Sequence, residues 1–310
     1  MHVFRDHTFI DPKYRGASIA IGNFDGVHRG HQKVIDIARA AAPSAPLGIL
    51  TFEPHPRQYF APKGESFRLM NATARAHRLE KLGVERLYEL NFNASLSTFS
   101  ARAFAQEILS EGIGARHVTV GEDFRFGKGR TGNATDLIAF GKEFGFGVTI
   151  VELVADGDDE VSSSAIRAAL SAGHPEVAAR MLGHYHRIEG QVIRGDQRGR
   201  ELGYPTANMS ISGLHPPKFG VYVVRVDILT GPYAGTYSGA ASMGVRPMFG
   251  ENLPNLESYL FDFKGDIYGE NISVALIQYL RPEEKFDGLE ALIAQMDADC
   301  VKARQILAAL

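Results

Sequence analysis

The chain has 310 residues, 45% of them hydrophobic and 22% charged, with a formal net charge of −3; this is the balance of a soluble globular protein of about two domains. Such a charge excludes a global basic field that would hold nucleic acid by counterion release, and Arg125, Lys128 and Arg130 make only a short basic stretch. A single cysteine, Cys300, rules out internal disulfides and leaves no cysteine-built zinc site, while the absence of a signal-peptide core or a long apolar run makes the expected location cytoplasmic, with no membrane partner.

In chain order, the first half alternates strand and helix signals. Residues 17–24 form a short apolar run followed by a helical period to about residue 42, and residues 47–52 read as a buried strand. A helix is expected over 71–82, then a strand over 85–90, a helix over 101–111, a strand over 117–120, a helix over 133–144 and a strand over 147–153. Strands separated by helices of this length predict a Rossmann-like α/β parallel sheet. The pattern changes near Gly183. Residues 187–194, 220–229, 235–242, 256–263 and 272–280 are β runs separated by Gly, Pro, Asn and Asp clusters, and a helical period returns over 287–309. This predicts a small six-stranded antiparallel β-barrel closed by a C-terminal helix. The expected domains are 1–183 and 184–310.

The junction Gly22-Asn23-Phe24-Asp25-Gly26-Val27-His28-Arg29-Gly30-His31 lies where a strand ends and a helix begins. Such a junction aims free backbone N–H groups and the helix dipole at one point. His28 and His31, three apart, share a face of the first turn. Two imidazoles with free amides suit a triphosphate attacked at its α-phosphorus, where charge builds on non-bridging oxygens. A second segment, Ser162-Ser163-Ser164-Ala165-Ile166-Arg167, reads as a helix start with serine capping. Capping leaves Arg167 unexplained, one turn in, and its planar multidentate donor suits departing pyrophosphate. A third, Gly121-Glu122-Asp123-Phe124, follows a strand at the end where open α/β sheets bind ligands.

The first two segments resemble the signatures of the nucleotidylyltransferase superfamily. All three, with Thr51-Phe52-Glu53-Pro54-His55-Pro56, resemble the adenylyltransferase half of the bacterial bifunctional riboflavin kinase/FAD synthetase family. The resemblance implies that His28 and His31 bind and activate ATP. It implies that Arg167 and Ser162–Ser164 hold ATP phosphates and that Gly22, Asn23, Phe24, Asp25 and Gly30 cradle them. It also puts Asp123 and Phe124 in the flavin and nucleotide cleft. A competing motif, Gly127-Lys128-Gly129-Arg130-Thr131-Gly132, fits a dinucleotide fingerprint, but the strand before it ends too early for the required tight turn.

In the second half Gly195, Gly199 and Gly203 are evenly spaced, which lets a loop approach phosphates with its amides. Pro205 precedes Thr206 and Asn208, two hard oxygen donors suited to Mg²⁺. This composite resembles the riboflavin kinase signature, and the resemblance makes Glu257 the base that accepts the ribityl hydroxyl proton. Two positions depart from the family: Ser242 stands where asparagine is usual and Met248 where threonine is usual, both in a segment expected near the flavin. The sequence therefore predicts a two-step synthesis, riboflavin and ATP to FMN and ADP, then FMN and ATP to FAD and pyrophosphate, with Mg²⁺ as cofactor. The rivals are a single-activity enzyme whose second half only binds flavin, and a dinucleotide-dependent oxidoreductase.

Overall fold

The computed structural model describes residues 1–152, 155–156, 159–195, 199, 202–248 and 251–310; for 155–156, 159–160, 246–248 and 251–253 it describes the backbone alone. The chain divides into two compact units, Met1–Gly64 with Arg75–Val161, and Glu65–Ala74 with Ser162–Leu310.

The first unit is built on strands β1 (His2–Phe4), β2 (Ser18–Ile21), β3 (Leu47–Glu53), β4 (Arg86–Asn91), β5 (His117–Gly121) and β6 (Gly147–Val151), in the spatial order β1-β4-β3-β2-β5-β6. Every neighbouring pair is parallel. All four residues of β2 are buried, as a central parallel strand covered on both faces requires. The core gathers Ile19, Leu50, Tyr88, Ile108 and Val118. Helix α1 (Arg29–Ala41) follows β2, α2 (Ala72–Lys81) leads into β4, and α3 (Ala134–Phe144) joins β5 to β6. From β2 the chain builds outward through β3 and β4, then returns to place β5 and β6 on the other side. The order reverses between β2 and β5, and in open α/β sheets the ligand crevice lies outside the carboxyl ends at such a switch point.

Asn133 caps α3 through a capping box: its side chain accepts from the Asp136 N–H at 3.0 Å while Asp136 Oδ2 accepts from the Asn133 N–H at 3.0 Å. The glycine run 127–132 lies inside a small hairpin pairing Arg125–Phe126 with Gly132–Asn133. It is therefore no strand-to-helix turn, and the dinucleotide fingerprint fails on geometry. Residue Leu153, expected as the end of β6, lies outside the described residues.

The second unit begins with helices α4 (Ser163–Ala172) and α5 (Pro175–Leu182). Six strands follow: β7 (His186–Gln191), β8 (Thr206–Ser210), β9 (Gly220–Ile228), β10 (Gly235–Met248), β11 (Glu251–Leu260) and β12 (Asn271–Arg281). Their order is β7-β12-β9-β10-β11-β8, antiparallel throughout. The sheet curls until the chain beyond β7 meets β8, where the Ile193 N–H donates to the Asn208 carbonyl at 2.8 Å. The interior packs Ile188, Met209, Val224, Met243, Leu256 and Val274. Val223, Ala240, Ala275 and Ile277, on the opposite face, pack under helix α6 (Leu289–Ala308). Helix α6 is also tied by polar contacts: Tyr204 to Asp297, Arg281 to both oxygens of Asp299, and Arg304 to both oxygens of Asp262.

In the two six-stranded sheets, two strands go beyond the sequence expectation. The edge strand β1 pairs with β4, and β8 occupies Thr206–Ser210, a stretch the glycine and proline content had presented as loop. Helix α4, whose start was expected at the serine run, and α5, which was not expected, lie before residue 183 and pack in the second unit.

Candidate active sites

In the first unit, the loop after β2 is held in an unusual backbone. Phe24 has φ +51° and Val27 φ +45°, with Gly26 at +86°. A left-handed conformation at a non-glycine residue costs of order 1–3 kcal/mol and persists where the surroundings over-determine it. Phe24 and Val27 are almost wholly buried, and Asp25 is 4% exposed. The loop delivers His28 as the N-cap of α1, its Nδ1 accepting from the His31 N–H at 3.4 Å. An Nδ1 that accepts leaves the neutral ring its Nε2–H as donor. The two imidazoles stack with centroids 3.7 Å apart and planes 22° apart, and Phe24 lies 5.1 Å from the His31 ring.

Gly30 leaves room beside this stack: a Cβ there would press on the His28 ring at 3.1 Å and touch the Val161 carbonyl at 3.7 Å. Gly22 is less constrained, with the Phe24 ring 3.4 Å away. Burial lowers the His28 pKa to about 4. Burial first, then the neighbouring His28, holds His31 well below the usual imidazole value. Both rings are therefore neutral at pH 7 before ligand binds, and His31 Nδ1 is buried with no hydrogen-bond partner. In the tautomer that carries its proton on Nδ1, His31 offers a buried, unpartnered N–H beside a helix N-terminus, a donor that an anion can satisfy.

Asp123 and Phe124 follow β5, the strand across the switch point from β2. Asp123 is exposed, and Phe124 stacks on Phe126 at 5.4 Å. After β3, Phe60 stands 69% exposed, edge-on to Tyr59 and Phe92 at 5.1 and 5.7 Å. This aromatic cluster escaped the sequence reading because its rings come from separate segments.

Ser162 caps α4, accepting from the Ala165 N–H at 3.2 Å as the serine run predicts. Arg167 donates to Ser164 Oγ at 3.1 Å and to the Phe67 carbonyl at 3.3 Å. Ser163 is the first residue of the helix. These residues belong to the second unit and His28 and His31 to the first.

The second site lies at the barrel seam. Asn208 Nδ2 donates to the carbonyl and Oγ1 of Thr206 at 3.3 and 3.2 Å. Asn208 Oδ1 accepts from Asn255 Nδ2 at 3.0 Å. The register sets Asn208 opposite Glu257 and Glu257 opposite Ser242, so three predicted residues form one row across β8, β11 and β10 on one face. A cleft of ≈ 260 Å³ beside this row is lined by Gly195, Thr206, Asn208, Phe263 and Tyr268 among others. Glu257 and Ser242 are not among its lining residues.

A Cβ at Gly195 would come within 2.6 Å of Asn208 Oδ1, so only glycine leaves the amide in place. The Gly199 carbonyl accepts from the Tyr204 N–H at 2.7 Å, and Gly203 is exposed with φ +86°. Residues 196–198 and 200–201 of the glycine loop, and the Met248 side chain, lie outside the described residues. Asn255, 3% exposed and with Oδ1 unpartnered, is a further member of the site. Its only sequence signal was a position two residues before Glu257, on the same face. Among the described residues no group of three or more His, Cys, Asp or Glu could hold a metal ion.

Comparisons with known proteins agree in both halves. The family model described as FAD synthetase matches residues 10–165 and that for riboflavin kinase matches 182–307. A bifunctional riboflavin kinase/FMN adenylyltransferase of Pseudomonas fluorescens is 39% identical, with 99% of this chain and 98% of that protein covered. Counterparts of the same description from Bacillus subtilis and Escherichia coli K12 are 34% and 33% identical, each over 96% of this chain and 95% of the relative. A solved structure, described as a macrolide-efflux protein of Streptococcus pneumoniae, superposes with a TM-score of 0.80 at 31% identity, covering 96% of each chain. Among the described residues no helix is long and apolar enough to cross a membrane.

Proposed function

Since the chain belongs to the bifunctional riboflavin kinase/FMN adenylyltransferase family, we propose a residue-level division of its two reactions. The chain is a bifunctional transferase: it converts riboflavin and ATP to FMN and ADP, then FMN and ATP to FAD and pyrophosphate. Adenylyl transfer falls to residues 1–183 and phosphorylation to 184–310; this functional division differs from the packing division because Ser162–Ser164 and Arg167 serve the first reaction by their sequence signature. The second family match, which begins at residue 182, supports it.

The observation that carries the first assignment is the stacked, buried His28–His31 pair at the start of α1. The FMN phosphate attacks the α-phosphorus of ATP, and negative charge grows on its non-bridging oxygens. His28 Nε2–H, His31 and the first amides of α1 meet that charge as donors in a site already arranged for it. Gly22, Asn23, Phe24, Asp25 and Gly30 shape the loop, and Arg167 with the serines holds the departing pyrophosphate. Asp123, Phe124 and the aromatic cluster at Phe60 receive the flavin, the rings offering stacking faces.

For phosphorylation, Glu257 takes the proton from the ribityl hydroxyl as it attacks the γ-phosphorus. Gly195, Gly199 and Gly203 approach the phosphates. Thr206 Oγ1 and Asn208 Oδ1 would hold Mg²⁺, and the donors fit: both are hard oxygens, and Gly195 leaves beside Asn208 a space that a Cβ would fill. When bound, the ion neutralises phosphate charge. Ser242, opposite Glu257, and Met248 contact the flavin. The proposed location is cytoplasmic.

One crossed experiment tests the division. The protein is incubated with ATP, Mg²⁺ and either riboflavin or FMN, and the flavins are separated. His28→Ala should stop at FMN. Glu257→Gln should leave riboflavin unreacted yet form FAD from FMN. A folded His28→Ala protein that lost both reactions would sink the division, and unchanged phosphorylation in Glu257→Gln would require another base.

A further inference from the structure

Among the described residues Arg75 is the largest side chain buried completely, with 0% exposure, and neither proposed reaction uses it. Its Nη2 donates to Glu53 Oε2 and to Glu89 Oε2, both at 2.9 Å. Glu53 ends β3 and Glu89 lies in β4. An arginine with two carboxylates satisfies the need of a buried charge for partners. Its remaining contact is the informative one. Arg75 Nη1 donates to the Asn23 carbonyl at 3.4 Å, and the buried Thr51 hydroxyl donates to the same oxygen at 3.2 Å. Two donors from different elements thus converge on one carbonyl of the phosphate loop.

The consequence follows from peptide geometry. In a trans peptide the C=O and the following N–H point in opposite directions. Drawing the Asn23 carbonyl toward Arg75 and Thr51 turns the Phe24 N–H to the opposite side. Phe24 is the first left-handed residue of the loop, and Val27, the next non-glycine one, immediately precedes His28. Strain of this kind relaxes unless something holds the chain on both sides. His28 is held at one end by its cap on α1; the Asn23 carbonyl is the anchor at the other.

We propose that Arg75 and Thr51 are positioning residues for adenylyl transfer, which hold the Asn23–Phe24 peptide and thereby the aim of the phosphate loop. Arg75, wholly enclosed and engaged with two carboxylates, acts through the loop rather than on ATP. The inference rests on the assignment of that loop to adenylyl transfer.

The test uses the full-length protein and its own kinase reaction as an internal control. Thr51→Val removes the hydroxyl and keeps the shape. With one neutral hydrogen bond lost, kcat for FMN adenylylation should fall roughly three- to ten-fold. Arg75→Lys keeps the charge but cannot span three acceptors; a misplaced loop should lower kcat about a hundred-fold. In both variants riboflavin phosphorylation should stay within about two-fold of the parent, and kcat for adenylylation should change more than KM for ATP. A purely structural role would lower the melting temperature and the folded fraction while leaving kcat per folded molecule, measured well below the melting temperature, unchanged. That outcome overturns the proposal, as does a parallel fall of both reactions. Should Arg75→Lys not fold, Thr51→Val carries the test alone. His28→Ala, run alongside, separates the two levels. If it retains FAD formation, the site assignment is wrong; if it loses FAD formation while Thr51→Val and Arg75→Lys keep parental kcat, only the positioning role is.

Discussion

Gly195→Ala is a sharp test of the barrel site because the added methyl has a defined collision. Its carbon would lie 2.6, 2.7 and 2.9 Å from Oδ1, Cγ and Nδ2 of Asn208. Regaining ordinary carbon contact requires a relative movement of roughly 1 Å. The φ of Gly195 is not in the left-handed region, so the backbone itself accepts alanine. The group that can yield is the Asn208 amide, and yielding stretches its bonds to Thr206 and Asn255, now 3.0–3.3 Å, past hydrogen-bonding range. At about 1 kcal/mol for each of the three bonds, the melting temperature should fall by roughly 6–12 °C. The functional loss should be much larger. Displacing one of two proposed metal donors by 1 Å in a site that works by placement should lower kcat for phosphorylation about a hundred-fold. The assay is separation of riboflavin, FMN and FAD at saturating ATP, with FAD formation from added FMN as control. Phosphorylation within about two-fold of the parent, in a protein shown to be folded, would refute the assignment of Asn208.

Two more outcomes follow from the same geometry. The folded His28 pKa, about 4, lies below the unfolded value of 6.5, so the unfolded state binds more protons between these values. Stability from His28 is present above pH 6.5 and lost as pH falls toward 4, about 2 kcal/mol of it between pH 7 and pH 5; His28→Asn should flatten that part of the urea-unfolding profile, and an unchanged profile would count against a neutral buried ring. Ser242→Asn, opposite Glu257 in the register, should alter KM for riboflavin more than kcat, because a contact made equally in ground and transition states leaves the chemical step unchanged; steady-state kinetics decide this, and a dominant change in kcat would place Ser242 in the chemistry.

The first site was legible because its parts are contiguous. Strand, loop and helix start run from Ser18 to His31 without a break, so the three-residue spacing of His28 and His31 was enough to put them on one face of the first turn. The alternation of strands and helices gave the parallel sheet for the same reason: it is a local, periodic signal. What the spacing could not carry was the loop's anchor. Thr51 lies on β3 and Arg75 on α2, 28 and 52 residues from Asn23. Inside a helix read from 71 to 82, an arginine is indistinguishable from a solvated one until tertiary packing buries it.

The barrel shows the opposite case. The Thr206–Asn208 stretch advertised itself by composition, and its proposed chemistry was taken from that, yet its conformation was missed. Gly203 and Pro205 argue for a turn, and Gly203 sits in one with φ +86°, but the residues after Pro205 enter an edge strand. Pro is tolerated at the start of such a strand, where no ladder hydrogen bond is forfeited. Once β8 exists, register does the rest. It sets Asn208 beside Glu257, 49 residues on, and lets Asn255 reach Asn208 from two positions before Glu257. Cross-strand neighbours of this kind share no spacing rule, since the loop lengths between strands decide them. A signature motif can therefore identify the donors of such a site, but the side chains that orient those donors are found only when the pairing is known. Asn255 is the concrete case: nothing in the chain order couples it to Asn208, and one 3.0 Å hydrogen bond does.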